Sequence, residues 1–183
     1  MDFNKMTDEE FYAALVGYRN SGVNKFAAHV GIVIDEIGPG YAEGHIDIEE
    51  HHGNPIGSIH GGCLFALADS VGGAAAVSRK RAVTTINSSI SYLNAGLSGK
   101  VKKITARADE VKCGKTTSVY NVVIKDDALV VLELGAILLL AAAVVDFLDD
   151  DLVDILVLLH LLDIADVLDV GSQQLLGGAV GLG

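Results

Sequence analysis

The chain has 183 residues, 50% of them hydrophobic, and a formal net charge of −11, which is enough material to bury the core of one domain. Cys63 and Cys113 form no C-x-x-C pair, which argues against a zinc or disulfide framework and for reduced thiols in a cytoplasmic protein. The acidity is local: residues 1–125 hold 13 acidic and 13 basic residues, and the other 11 acidic residues all follow Lys125, so the charge describes the end of the chain and not the partner of its main part.

The opening MDFNKMTDEE is acidic and polar, unlike a secretory signal. Thr7-Asp8-Glu9-Glu10 is a capping-box pattern, and Phe11, Leu15 and Tyr18 follow at helical spacing until Asn20-Ser21-Gly22. From His29 to Ile37, Val30, Ile32 and Ile34 alternate at period two, which predicts a strand. Gly38-Pro39-Gly40 is a turn and Tyr41–Ile48 the returning strand. Residues 51–60 are a loop by composition. Gly61 to about Ser78, rich in Ala and Leu, predicts a buried helix, with Gly72-Gly73 allowing a close backbone approach. Four strands follow: Val83–Leu93, Val101–Val111, Thr116–Lys125 and Ala128–Leu140. One apolar helix against a mainly antiparallel sheet is an α+β arrangement.

Residues 142–183 differ from the rest. They use mainly Leu, Val, Asp, Ala and Gly, and Asp163, Asp166 and Asp169 at helical spacing before Gly171 make a partly helical tail feasible. The apolar run Ala128–Val145 is interrupted by Glu133, is preceded by Lys125-Asp126-Asp127 and has no basic residue after it, so no membrane span is expected.

The chemistry concentrates in Asn54 to Asp69, Asn-Pro-Ile-Gly-Ser-Ile-His-Gly-Gly-Cys-Leu-Phe-Ala-Leu-Ala-Asp. A loop ending at a helix start presents amides without intrahelical partners, and those of Gly61 and Gly62 can hold a developing oxyanion. Asn54 and His60 can orient the carbonyl or an attacking water. Asp69, amid Leu64, Phe65, Leu67 and Val71, would have a raised pKa if buried, which suits a general base. The structural alternatives are plain: a Gly-Gly pair that only starts a helix, a solvated His and Asn, and an Asp on one wet helix face. Period two puts Thr85, Asn87, Ser89 and Ser91 on one face of the next strand, where a hydroxyl can hold water beside the carboxylate.

Eight residues of helix separate Gly61 from Asp69, about 12 Å at 1.5 Å per residue. One acyl carbonyl, of an ester or a thioester, cannot touch both within one helix. If both act, the site joins the Gly61 end of one subunit to Asp69 of another, and a two-fold homodimer follows.

Other patterns carry less. Nine of the 13 basic residues fall between Arg79 and Lys115; such a cluster can attract phosphates, but no aromatic interleaving points to nucleic acid. Cys63 follows His60 by three residues but lacks a third orienting group. His45, His51 and His52 with Glu49 and Glu50 contain no helical His pair, so no metal is expected. No G-x-x-x-x-G-K-[ST] or G-x-G-x-x-G occurs, and no cofactor is expected.

The run Asn54-Pro-Ile-Gly-Ser-Ile-His60-Gly61-Gly62-Cys-Leu-Phe-Ala-Leu-Ala-Asp69-Ser, with Val83-Thr-Thr, Tyr92-Leu-Asn-Ala-Gly96 and Val111-Lys-Cys-Gly114-Lys115, closely resembles the hot-dog-fold acyl-CoA thioesterases of the phenylacetic acid degradation (PaaI-like) type, over residues 7–127. The resemblance implies a long central helix wrapped by an antiparallel sheet of five or six strands in residues 1–141, and homodimers or homotetramers with sites across the dimer interface. It implies Asp69 as general base or nucleophile, Gly61 as oxyanion amide, and Asn54 and His60 as positioning groups. It also implies Thr85 beside the carboxylate and Lys115 at the CoA phosphates. The tail from residue 142 has no counterpart in it. The function implied is hydrolysis of an acyl-CoA to acid and CoA. The alternative is a non-catalytic acyl-CoA-binding or regulatory hot-dog domain, which would bind without turnover.

Overall fold

The computed structural model describes residues 6–97, 99–126 and, by backbone, 130–141. Helix α1 (Asp8–Arg19) starts as the capping box requires: the Glu10 amide donates to Thr7 Oγ1 at 3.2 Å and the Thr7 amide to Glu10 Oε2 at 2.8 Å. Phe11 and Leu15 are its buried face. Asn20 ends it and turns its amide onto the sheet, donating to Ile34 O at 2.8 Å and accepting from Ile34 N at 2.9 Å.

The strand expected from His29 begins later. Asn24 Oδ1 accepts from Ala27 N at 3.0 Å and caps a short helix, α2 (Lys25–Val30), which Gly31 closes at φ 76°. Val30 therefore belongs to a last helical turn. The apparent alternation of Val30, Ile32 and Ile34 crosses a helix end, and strand β1 spans Val33–Gly38.

Strands β2 (Tyr41–Asp47), β3 (Val83–Tyr92), β4 (Lys103–Cys113), β5 (Thr117–Lys125) and β6 (Val130–Ala141) complete a six-stranded sheet in the order β1-β2-β4-β5-β6-β3. Every pairing is antiparallel. The chain is thus α+β, and of the five or six strands expected, six are present among the described residues. The strand expected at Ala128–Leu140 is described as Val130–Ala141, residues 127–129 lying outside the described residues.

Helix α3 (Gly61–Val77) packs on the sheet and supplies the middle of the core through Leu64, Leu67, Val71, Ala74, Ala75 and Val77. Ile46, Ile104, Tyr120, Val122 and Ile124 meet it from β2, β4 and β5, all fully buried. Gly44 is needed in β2, because a Cβ there would lie 2.6 Å from Val33 O and 3.0 Å from Val71 Cγ2. Gly73 does not mark the close approach expected of it: a Cβ there would meet nothing within 4 Å.

The end of α3 is locked to the sheet. Ser78 Oγ accepts from Gly40 N at 2.9 Å and donates to Ala75 O at 2.6 Å. Arg79 makes a two-pronged bond to Glu110, at 2.7 and 2.8 Å, and buried Tyr120 donates its hydroxyl to the same carboxylate at 3.1 Å. Among the described residues no helix is long and apolar enough to cross a membrane. The tail, 142–183, lies outside the described residues.

Candidate active site

The first half of the site is the loop that delivers α3. It is rigid for a reason written in its polar residues. Asn54 Oδ1 accepts from the amides of Ile56 at 3.1 Å and Ser58 at 3.0 Å, and Asn54 N donates to Ser58 O at 2.7 Å. The carbonyl side of the Asn54 amide is thereby used up, and its NH2 group is left for another acceptor. His52, buried beneath the loop, accepts from Glu49 N at 2.9 Å through Nδ1 and reaches Val30 O at 2.9 Å through Nε2. Its carbonyl accepts from His60 N at 2.8 Å.

His60 is the N-cap of α3. Its Nδ1 accepts from Gly62 N at 2.9 Å, which fixes Nδ1 as the unprotonated nitrogen and turns Nε2 outward. The His60 carbonyl accepts from Cys63 N at 2.9 Å and Leu64 N at 3.3 Å. Of the two glycine amides, then, Gly62 is occupied and Gly61 is not: no hydrogen bond among the described residues uses Gly61 N. The sequence offered both as oxyanion donors, and the cap chooses between them.

Gly61 lines an open cleft of about 490 Å³ together with Asn54, Gly62, Tyr92, Leu93 and Asn94. The cleft wall is stitched together by Ile59 N donating to Gly96 O at 2.8 Å and by the Ser58–Leu97 bridge. Tyr92, the last residue of β3, donates its hydroxyl to Gly61 O at 3.2 Å. This residue carried the family resemblance only as part of a motif. Nothing in its sequence position signalled that its ring closes over Gly61.

The second half of the site lies two turns along α3. Asp69 is half-buried and accepts from Thr85 Oγ1 at 2.7 Å. The hydroxyl that the resemblance puts beside the helix carboxylate is therefore bonded to it directly. The strict alternation expected of β3 is not kept, because its register against β6 shifts between Thr85 and Asn87 and again between Asn87 and Ser89. Thr85, Asn87, Ser89 and Ser91 are all exposed in the single chain.

Arg19 approaches the same stretch of α3, donating from Nη2 to Gly73 O at 3.3 Å, while its Nε is buried without a hydrogen-bond partner among the described residues. Burial lowers its pKa, against the attraction of Tyr18 and Asp69. No sequence signal marks this buried cation near α3, since a basic residue at a helix end reads as a complement to the helix dipole.

The remaining assignments separate from these two. Lys115 is exposed in the β4–β5 turn, where Arg81 Nη1 holds the turn through Gly114 O at 2.7 Å and Lys115 O at 3.4 Å. It lines neither the cleft nor the Asp69–Thr85 pair. Burial pushes the Cys63 thiol up to about 11, the opposite of an activated nucleophile. His45, His51 and His52 join no metal-binding group, and none exists among the described residues.

Comparison with known proteins fits this geometry. Residues 56–132 match the family model described as "Thioesterase superfamily". The E. coli PaaI protein from the phenylacetic acid degradation operon superposes with a TM-score of 0.60 at 24% identity, covering 70% of this chain and 96% of that one. The fold is the hot-dog fold of the thioesterases. A second hot-dog structure, described as a hypothetical thioesterase protein with coenzyme A from Streptococcus pneumoniae, matches at 25% identity and a TM-score of 0.60, over 67% of this chain and 95% of that one. A "Putative esterase" of Archaeoglobus fulgidus is 33% identical over 93 residues, 51% of this chain; the match spans 59% of that relative's length. The hot-dog helix is α3, and the matched segment contains Gly61, Asp69 and Thr85.

Proposed function

We propose that the protein hydrolyses an acyl-CoA to a free acid and CoA, at a site built from two copies of the chain. The observation that carries this reading is the pairing of two features on one helix: a single unused amide at Gly61 and a hydroxyl-bound carboxylate at Asp69, inside a segment matching the thioesterase superfamily. The coenzyme A in the S. pneumoniae neighbour supports CoA as the thiol.

The chemistry runs as follows. Asp69 takes a proton from a water molecule while Thr85 holds the carboxylate, and the oxygen adds to the thioester carbonyl carbon. The C=O electron pair moves onto oxygen, where the Gly61 N–H of the partner copy receives it, aided by the Asn54 NH2 and by His60 Nε2. Collapse breaks the C–S bond, and the thiolate leaves as CoA. A preorganised donor at an oxyanion is worth about 3 kcal/mol of barrier.

The dimer follows from reach: about 12 Å of helix divides the two groups, too far for one carbonyl. The exposure of β3 supports it. This strand ends the sheet, and Ile86, Tyr92 and Leu93 stand 47%, 53% and 51% exposed on and beside it, which is apolar surface at an unpaired edge. The place of Lys115 at the CoA phosphates rests on the family resemblance alone, and residues 1–141 are taken as the thioesterase unit.

The test is thiol release from acetyl-, octanoyl- and phenylacetyl-CoA. Wild type should turn over at least one of them, and Asp69→Asn should lose about 10²-fold or more in kcat with an unchanged fold. Wild-type turnover in Asp69→Asn sinks the assignment. Tight CoA-ester binding without turnover in wild type would mean a binding domain instead.

A further inference from the structure

The unit His60-Gly61-Gly62 is held from almost every side. His60 N donates to His52 O, His60 O receives Cys63 N and Leu64 N, and Gly62 N donates to the His60 ring. Gly61 O, the other end of the Gly61–Gly62 peptide, receives the Tyr92 hydroxyl at 3.2 Å. That peptide plane is thus gripped at both ends, by an imidazole on its N–H and a phenol on its C=O. The grip matters because a freely rocking peptide would carry the neighbouring Gly61 N–H with it.

The ring does more than donate. A Cβ on Gly61 would lie 3.2 Å from Tyr92 Cε1, Cζ and Oη, so the ring rests directly over the glycine. Tyr92 is also a wall of the cleft that Gly61 opens into. Because Tyr92 stands at the end of β3, the strand that also carries Thr85, one element holds both halves of the site: Thr85 grips Asp69 and Tyr92 grips Gly61.

We infer that Tyr92 is a positioning residue for thioester hydrolysis, its phenol and the His60 ring together fixing the Gly61–Gly62 peptide so that the free Gly61 N–H stays aimed at the oxyanion. The assignment rests on the thioesterase reading above. It makes Tyr92 act through Gly61, on the transition state rather than on ground-state binding.

Tyr92→Phe isolates the phenol oxygen. The ring stays, and Tyr92 is 53% exposed, so the fold is not at stake. With the best-hydrolysed of the three CoA esters, kcat should fall about fivefold with KM unchanged, the loss expected of one hydrogen bond. His60→Ala releases the other end of the same peptide, the Gly62 N–H, and adds no atom near the ring. On the residual turnover of that background, adding Tyr92→Phe should change kcat less than twofold. A purely structural Tyr92 would lower kcat equally in both backgrounds and would shift Tm. An equal loss in both, or a Tyr92→Phe single variant with wild-type kcat, overturns the Tyr92 assignment alone. Wild type that releases no thiol, or that is matched by Asp69→Asn, overturns the thioesterase reading and this inference with it.

Discussion

Asp69 and Gly61 share a helix, yet their surroundings differ in what each leaves free. At Asp69 one carboxylate oxygen is bound by Thr85 and the residue is half-buried, so the other oxygen remains to meet water. At Gly61 the backbone around it is saturated and the amide alone is left. Thr85→Ala should keep the fold and lower kcat by about tenfold while leaving KM near wild type, the pattern of a group that orients the base; an unchanged kcat would remove Thr85 from the site. Cys63 lies two residues from Gly61 but its thiol is raised to about 11 by burial, so little thiolate exists at neutral pH. Cys63→Ser should therefore retain wild-type turnover, and iodoacetamide should modify exposed Cys113 first; inactivation that tracks Cys63 labelling would contradict this. Strand spacing put Thr85 on a face with Asn87, Ser89 and Ser91, and only the family resemblance singled it out as the neighbour of Asp69, a contact the structure contains. Between Gly61 and Gly62 the spacing did not choose, and the resemblance alone pointed to Gly61, because the choice depends on which nitrogen of His60 turns back onto the helix.

The elements were read well where a local signal was unambiguous. Thr7 and Glu10 cap α1 as their spacing demands, and α3 runs from the Gly pair to Val77 against an expected end near Ser78. At α2 a period-two pattern runs through a helix end, and Asn24 with Gly31 is the cap-and-stop signal that marks the helix. The bulges of β3 had no local signal, because register is set by the partner strand. Thr7→Ala should lower stability by about 1 kcal/mol, read as a fall in Tm of about 3–6 °C. No change would mean that α1 is held by Phe11 and Leu15 alone. The lock between α3 and β4 carries a pH signature. The Glu110 carboxyl is held below its ordinary range, first by its hydrogen bond to Arg79 and then by Tyr120. Its stabilisation is complete above the carboxylate's unfolded pKa of about 4.3 and is lost as pH falls through the lower folded value. Tm should therefore drop on acidification, and Glu110→Gln should flatten that drop. An identical acid profile for the variant would contradict the assigned role.

At the scale of the whole molecule, a hot-dog sheet with α3 against it leaves β3 as an open edge with Ile86 and Tyr92 exposed, and splits the proposed chemistry between two ends of one helix. A second copy answers both needs at once. The fold class and its helix-on-sheet order were legible from the run of elements. Which strand would stand at the edge was not, because β3 neighbours β6 across a long excursion of chain. The tail contributes nothing to this account, so removal of 142–183 should leave thiol release from the three CoA esters unchanged; loss of turnover with the fold intact would place part of the site in the tail. The shared site can be tested with two dead chains. Asp69→Asn and Gly61→Pro variants, given different affinity tags, co-expressed and isolated as the mixed dimer, should each inactivate their own homodimer. In the mixed dimer one site would combine both defects, while the other would combine Asp69 of one chain with Gly61 of its partner. The account predicts thiol release at about half the wild-type rate per dimer, one site in two. Activity no higher than that of either parent, or failure to form a mixed dimer at all, would contradict it.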